Sequence, residues 1–198
     1  MLKILIALVL CACVRQPHVD PAPRSEVDAS RSVVLVESSC GADDEASWGS
    51  EHRGTGVIIS ERYVLTAAHV TACPEIPVVH VTFRGVRWSM HVEREDIRAD
   101  VARLEIATAE RFHLDVPPPE LAPIETETVF AHVLGRWGES SRGSTSETST
   151  LVRHMITIHG DSGAPVYNTA GQLVGLVTAG NGIDTTIAPV GMTWLEGT

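Results

Sequence analysis

Residues 54–69 read GTGVIISERYVLTAAH. This stretch holds two β-branched runs, Thr55–Ser60 and Tyr63–Thr66, and the pattern predicts two short β-strands. Two alanines and then His69 follow the second run. Small residues before the histidine leave its imidazole room to face a cleft, so His69 is a candidate site residue. By itself, a histidine after a strand can equally be a partly buried structural residue.

Similar short runs recur along the rest of the chain between turn-forming residues. One of the turns, Asn168–Gly171, is typical of a hairpin. No long helical periodicity competes with the strands, apart from a short turn near Ala67–Cys73. The spacing indicates an all-β sandwich or barrel. The other predicted strands are Ser32–Val36, Val78–Phe83, Arg87–Val92, Val101–Ile106, Val129–Leu134, Met155–Ile158, Ala164–Tyr167 and Leu173–Thr178.

Two segments differ in composition from these runs. Asp115–Ile124 reads DVPPPELAPI, and its prolines exclude it from a central strand because proline has no N–H to donate. We expect this segment to divide the body into two portions of similar size. Gly138–Thr150 reads GESSRGSTSETST, which is polar and of low complexity. That composition predicts a mobile surface loop.

The composition of the chain excludes several function classes. Of 198 residues 43% are hydrophobic, and the net charge is −10. An acidic protein lacks the basic face that phosphate binding needs, so nucleic acid is not the expected partner. The only lysine is Lys3, close to the N-terminus. A body without lysine excludes a Schiff-base lysine, a phosphate-binding-loop lysine and a Ser–Lys dyad.

The N-terminus has the form of an export signal. In Met1–Val14, a positive charge at Lys3 precedes the apolar run Ile4–Leu10. This run is too short to span a bilayer, which needs about 20 apolar residues, but it suits a signal peptide. Leu10–Cys13 resembles a bacterial lipobox, with cleavage before Cys13 and acylation of its thiol. The alternative is an ordinary secretory signal whose cysteines are incidental.

We therefore expect residues 1–12 to be a lipoprotein-type signal peptide. Residues 13–31 contain prolines and charges without periodicity, which is typical of a tether. The expected location is the cell envelope, on the periplasmic or outer-membrane face, with the lipid as the sole link to a membrane. Without an anchor the protein would be secreted.

Cys40 and Cys73 are the two remaining cysteines. Export makes a disulfide between them plausible. The alternative is a thiolate metal site, since His69 and Cys73 have a spacing that suits a helical metal pair. A second Cys/His pair of structural-zinc spacing is absent from the sequence. We expect no metal and no cofactor.

Two further segments contain residues suited to catalysis. Asp100 stands immediately before the apolar run Val101–Ile106, where an acid can be buried if an imidazolium is its partner. His159–Pro165 reads HGDSGAP and places a serine between glycines, so that the backbone can turn sharply. The N–H groups of Gly160 and Ser162 could then converge on one point, as an oxyanion hole requires. Each segment alone is also compatible with an ordinary turn.

Together and in this order, the three segments resemble the trypsin/chymotrypsin-like serine peptidase family. Its T-A-A-H motif stands at Thr66–His69, its D-[IV]-A-x-[LV] motif at Asp100–Leu104, and its G-D-S-G motif at Gly160–Gly163. Val133–Gly138 is similar to the family's G-W-G strand end, and Leu173–Gly180 looks like the strand that lines the substrate cleft. The order His, Asp, Ser differs from that of α/β-hydrolases and subtilisins.

This resemblance implies two six-stranded antiparallel β-barrels, 32–116 and 117–198, with the active site in the cleft between them. It implies an endopeptidase in which Ser162 is the nucleophile, His69 the general base and Asp100 the residue that orients the imidazole. The N–H groups of Gly160 and Ser162 would hold the oxyanion. The competing acids for the third role are Asp96 and Asp115.

The resemblance also implies a substrate pocket. Its expected residues are uncharged apart from one histidine, which favours a mid-sized apolar side chain before the scissile bond in a protein or peptide substrate. They are Ile156, Thr157, His159, Thr178, Ala179 and Gly180.

The chain has no Arg-Ile-Val-Gly-Gly activation sequence. We therefore expect no activating cleavage, and Asp161 to be held by an internal arginine or by hydrogen bonds. We expect a monomer. The alternative function is a catalytically silent barrel pair that acts as a surface binding module, and a lesser one is an esterase that uses the same residues.

Overall fold

The computed structural model describes residues 29–40, 52–73, 76–125, 128–132, 140–146 and 149–194. The expected signal peptide, and the tether up to residue 28, lie outside these ranges. The described chain forms two closed six-stranded antiparallel barrels, as the resemblance implied. No helix in these ranges is long and apolar enough to cross a membrane.

The first barrel is built from β1 to β6 in the spatial order β1-β2-β3-β6-β5-β4. A single-turn helix, α1, follows β3. The strands are β1 Val33–Cys40, β2 His52–Ile58, β3 Tyr63–Thr66, β4 Pro77–Phe83, β5 Val86–Asp96 and β6 Val101–Ile106, and α1 is Ala68–Thr71.

The core of the first barrel follows the two-residue period of its strands. Val34 and Val36 of β1 and Val79 and Val81 of β4 are all buried, because alternate side chains of a strand point to the same face. The core also contains Ile58, Val64, Ala67, Val70, Phe83, Met90, Leu104, Ile106 and Phe112.

The second barrel has the spatial order β10-β11-β12-β9-β8-β7. Its strands are β7 Thr128–His132, β8 Ser140–Ser146, β9 Ser149–Arg153, β10 Pro165–Asn168, β11 Leu173–Gly180 and β12 Thr185–Pro189. The predicted turn at Asn168–Gly171 is confirmed. There Asn168 Oδ1 accepts the N–H groups of Ala170 and Gln172, and Gly171 adopts a φ of 76°.

The two barrels are joined by a shared apolar cluster. Val57, Leu65 and Val101 contribute from the first barrel, and Tyr167 and Leu176 from the second. Since all of these side chains are withdrawn from water, their burial favours one fixed arrangement of the barrels.

The end of the described chain returns to the first barrel. Arg103, which is only 4% exposed, donates to Glu93 at 2.6 and 2.9 Å and to the carbonyl of Trp194 at 2.9 Å. Arg94 lies over the Trp194 ring at 4.6 Å and donates to the carbonyl of Thr193. These contacts hold the 3-10 helix Met192–Trp194 against β5 and β6.

The prediction of a mobile loop at Gly138–Thr150 was wrong, since β8 and β9 lie there. β8 consists largely of serine, and it is a strand because β7 and β9 each supply a ladder of hydrogen-bonding partners on either side of it. Met155–Ile158 is irregular rather than a strand, and β12 was not predicted. The segment Asp115–Ile124 contains no strand, as expected; there only Leu121 forms an isolated bridge, to Leu173.

The disulfide between Cys40 and Cys73 is present. It links the last residue of β1 to the segment that follows α1. Ser38 Oγ also donates to the carbonyl of Val70 at 2.5 Å, so the end of β1 holds the helix that carries His69 at two points.

Replacing both cysteines with serine is expected to lower the free energy of unfolding by roughly 3–4 kcal/mol, because the bridge closes a loop of 33 residues. Denaturant unfolding of the wild type and of the Cys40→Ser/Cys73→Ser variant measures this difference. Reduction of the wild type should give the same loss. Equal unfolding midpoints for the oxidised, reduced and double-serine proteins would contradict it.

Candidate active site

His69 is held at the rim of the first barrel by the elements on either side of it. β3 pairs with both β2 and β6, and its last residue, Thr66, donates from Oγ1 to the carbonyl of Thr55 at 2.7 Å. Ala67 and Ala68 are buried, as the sequence suggested. The His69 side chain itself is 47% exposed, so its imidazole is accessible from the cleft.

Asp100 lies directly against this imidazole. One carboxylate oxygen of Asp100 accepts the backbone N–H of His69 at 2.9 Å, and the other lies 2.8 Å from His69 Nδ1. Asp100 has a φ of 56°, a left-handed conformation that aspartate tolerates better than most residues. The tight turn before β6 therefore aims the carboxylate back at α1.

The competing acids have other partners. Asp96 Oδ1 accepts the N–H groups of Arg98 and Ala99, both at 2.9 Å, and so builds the turn that positions Asp100. Asp115 pairs with Arg84 at 2.7 Å, and this ion pair lowers the pKa of the Asp115 carboxyl. Asp100 is the acid that contacts His69.

The hydrogen bond to Asp100 raises the pKa of His69 above its ordinary value. Partial burial of the ring opposes the shift, and the charge of Asp100 adds to it. Because Nδ1 is the nitrogen that faces the carboxylate, a neutral imidazole places its proton there. Nε2 is then left as the basic nitrogen.

The serine turn packs against the first barrel through its backbone. The carbonyl of Ser162 accepts the N–H of Thr55 at 2.7 Å, and the carbonyl of Gly160 accepts Thr55 Oγ1 at 3.1 Å. Gly163 has a φ of +81°, and a Cβ on it would lie 2.0 Å from the carbonyl oxygen of Thr55. Glycine is therefore required at 163 for this close approach.

Hydrogen bonds within residues 158–164 hold the turn that contains Ser162. Asp161 is fully buried, and its Oδ2 accepts the N–H of Ile158 at 2.8 Å. The carbonyl of Asp161 accepts the N–H of Ala164 at 2.9 Å. A hydrogen bond from within the turn thus holds Asp161, one of the two possibilities expected from the sequence.

The backbone N–H groups of Gly160 and Ser162 differ from those of the neighbouring residues in their hydrogen bonding. Asp161, Gly163 and Ala164 all donate to backbone carbonyls. Within the described residues, the N–H groups of Gly160 and Ser162 donate to no acceptor. Both are thus free to bind an oxyanion, with Gly160 held at a φ of +95°.

The structure brings the serine turn and the His69–Asp100 pair to the same hairpin, β2–β3. Thr55, the residue that binds the turn, also accepts the hydroxyl of Thr66, at the end of the strand that leads to His69. In the described residues, Ser162 Oγ makes no hydrogen bond to His69 or to any other group. Such catalytic hydrogen bonds are often long in the absence of substrate and tighten when it binds.

The expected pocket residues fall into two segments. Gly163 donates to the carbonyl of Val177 at 2.7 Å, so the end of β11, with Thr178, Ala179 and Gly180, begins beside the serine turn. Ile156, Thr157 and His159 belong to the segment that leads into that turn. Ile156 and His159 are exposed, and Thr157 is buried.

One residue of this region was missed. Thr185 of β12 is fully buried, and its Oγ1 lies 2.9 Å from Thr157 Oγ1. Sequence reasoning overlooked it because β12 itself was not predicted, although its β-branched residues gave a usable signal.

A cavity of about 910 Å³ opens beside His69 and Asp100, and residues 160–163 of the serine turn do not line it. It lies between α1 and β5, and Ile76 and Ile97 on its rim are 90% and 77% exposed. In the ranges that the structure describes, no three histidine, cysteine or acidic side chains are grouped closely enough to hold a metal ion.

Comparison with known proteins agrees with this architecture. A family model for the trypsin-like peptidase domain matches residues 54–176, more than half of the chain. No curated protein matches the sequence. The active form of the Rv3671c protease from M. tuberculosis has a similar structure, with 22% identity, a TM-score of 0.64, and coverage of 95% of this chain and 90% of that one.

The HtrA-type protease AlgW, solved with a tripeptide, is also similar, with 21% identity and a TM-score of 0.61. That alignment covers 83% of this chain and 60% of AlgW. At such identities both structures support the fold, and the family model supports the membership. The chain belongs to the trypsin-like peptidase family and is a serine endopeptidase, a hydrolase of proteins or peptides.

Proposed function

We propose that this protein is an exported serine endopeptidase that cleaves its substrate through an acyl-enzyme formed on Ser162. The observation that carries the proposal is the pair of hydrogen bonds from His69 to Asp100, at 2.9 and 2.8 Å, next to a serine turn with two unused N–H groups. Nucleophilic hydrolysis needs these parts together.

In the first half of the reaction, Ser162 Oγ attacks the carbonyl carbon of the scissile peptide bond and its proton passes to His69 Nε2. The carbonyl oxygen becomes an oxyanion, which accepts the N–H groups of Gly160 and Ser162. The C–N bond then breaks as His69 gives the proton to the leaving amine. The product is an ester between the substrate's acyl group and Ser162.

In the second half, water attacks the ester carbon and His69 accepts its proton. The tetrahedral intermediate collapses, the proton returns to Ser162 Oγ, and the acid product leaves. Asp100 keeps its negative charge throughout: it orients the imidazole and stabilises the imidazolium without taking the proton. The raised pKa of His69 is consistent with this role.

We further propose that the protein is attached to the cell envelope by a lipid on Cys13. The support is the lipobox-like Leu10–Cys13 sequence and the Cys40–Cys73 disulfide, which suits an oxidising compartment. The residues of the tether outside the described ranges would connect the lipid to the barrels.

Replacement of Cys13 is expected to release the protein from membranes. The full chain is expressed in a bacterial host, and membrane and soluble fractions are compared for the wild type, Cys13→Ala and the control Cys11→Ala. We expect the wild type and Cys11→Ala in the membrane fraction and Cys13→Ala in the soluble one. Membrane association of Cys13→Ala would overturn the assignment of the lipid to Cys13.

Fluorophosphonate labelling tests the catalytic assignment. We expect the wild type to be labelled, Ser162→Ala to remain unlabelled, and Asp100→Asn to react about 10⁴-fold more slowly, because the wrong imidazole tautomer would then face Ser162. Ser89→Ala and Asp115→Asn, which change exposed residues of the same types, serve as controls and should react like the wild type.

Absence of labelling in the folded wild type would favour the silent binding module. Normal labelling of Asp100→Asn would show that Asp100 does not orient His69.

The pH dependence of kcat/KM reports the charge of His69. The general base must be neutral, and the pKa of His69 is raised, so activity should be lost on acidification with a midpoint above pH 6.5, the ordinary pKa of histidine. In Asp100→Asn, the residual activity should persist to lower pH. An acid midpoint at or below pH 6.5 that Asp100→Asn does not move would contradict the proposed pairing.

A further inference from the structure

We propose that Thr157 and Thr185 form a plug in the substrate pocket and restrict this peptidase to a small, uncharged side chain immediately before the scissile bond. The inference rests on the proposed function, since it concerns the same site. It narrows the mid-sized apolar preference that the sequence suggested.

The pocket is a slot between two short segments. One wall is Ile156–Ile158, which leads into the serine turn and is fixed to it by the hydrogen bonds between Ile158 and Asp161. The other wall is Thr178–Gly180. It continues from Val177, whose N–H donates to the carbonyl of Ala164 and whose carbonyl accepts the N–H of Gly163, the two residues that follow Ser162. In the proposed enzyme, the side chain that precedes the scissile bond would lie between these walls.

Thr157 fills the slot. A Cβ built on Gly180 would lie 2.1 Å from Thr157 Oγ1 and 3.3 Å from Thr157 Cβ. The backbone of one wall is therefore almost in contact with the side chain of the other. Thr157 is only 4% exposed, so its side chain is packed against the surrounding protein.

A chain of hydrogen bonds holds the plug in place. Thr185 Oγ1 donates to the carbonyl of Met155 at 2.7 Å. The hydroxyl proton of Thr185 is therefore already used in a hydrogen bond. Thr157 Oγ1 must then be the donor in the 2.9 Å hydrogen bond between the two hydroxyls. Rotation of Thr157 away from Gly180 would break its hydrogen bond to Thr185 and leave the buried Thr157 hydroxyl without that acceptor, which is unfavourable.

The two hydroxyls at the end of the slot offer no charged partner to a bound side chain. The floor of the slot consists of two hydroxyls that already bind each other, and its rim carries the partly exposed apolar side chains of Ile156 and Ile158. The carboxylate of Asp184, the residue before Thr185, accepts the N–H of His154. We therefore expect the slot to accept glycine, alanine and valine side chains and to disfavour leucine and phenylalanine.

The test measures kcat/KM for peptide p-nitroanilides that differ only in the residue before the scissile bond: Gly, Ala, Val, Leu or Phe. The variants are Thr157→Gly, which removes the plug, and Thr157→Val, which keeps its volume without the hydroxyl. Thr186→Ala alters an exposed neighbour of Thr185 and is the matched control. A small alkyl fluorophosphonate measures the active fraction of each preparation.

We expect the wild type and Thr186→Ala to prefer Ala over Phe by about 100-fold, within the range that pocket size can supply. Thr157→Val should keep this order, whereas Thr157→Gly should raise the Phe/Ala ratio at least 10-fold.

If the wild type cleaved the Leu or Phe substrate fastest, the proposal that Thr157 limits the pocket would be wrong, even if Thr157→Gly failed to fold. An unchanged ratio in a labelled Thr157→Gly protein would also contradict it. If the wild type is not labelled at all, the proposed function itself fails.

Discussion

The hydrogen bonds of Thr55 to the serine turn set the geometry on which the site depends. Thr55 belongs to the first barrel, and it binds the carbonyls of Ser162 and Gly160 in the second, at 2.7 and 3.1 Å. The same residue accepts the hydroxyl of Thr66, three residues before His69. One strand thus registers the proposed nucleophile against the proposed base, although they come from different barrels and lie far apart in the chain.

Polar groups near the cleft act mainly by fixing backbone. Asp96 builds the turn that aims Asp100 at His69, and Asp161 closes the turn that presents Ser162. By contrast with these hydrogen-bonded groups, the N–H groups of Gly160 and Ser162 have no acceptor within the described residues. Preorganised donors of this kind contribute most to catalysis when they need no rearrangement during the reaction. The hydroxyls of Thr157 and Thr185 are also fixed by hydrogen bonds. In the proposed enzyme, this pair limits the size of the substrate side chain rather than the rate of the reaction.

The short alternating strands of the sequence predicted an all-β sandwich or barrel. The two-barrel architecture and the grouping of His69 with Asp100 were predicted from the resemblance of three motifs to the trypsin-like family. Sequence reasoning failed where a strand or a contact depends on residues that are far apart in the chain. β8 reads SSRGSTS, and nothing in that polar stretch indicates a strand until β7 and β9 lie on either side. The role of Thr185 depends on β12 bringing it to Thr157, and that of Thr55 depends on the contact between the barrels.

A crystal structure of the phosphonylated enzyme tests the central claim most directly. The account predicts a covalent bond from phosphorus to Ser162 Oγ. It also predicts a phosphonyl oxygen about 2.7–3.1 Å from the N–H groups of both Gly160 and Ser162, with His69 still bonded to Asp100. An adduct on another residue, or an oxygen directed away from both N–H groups, would contradict it.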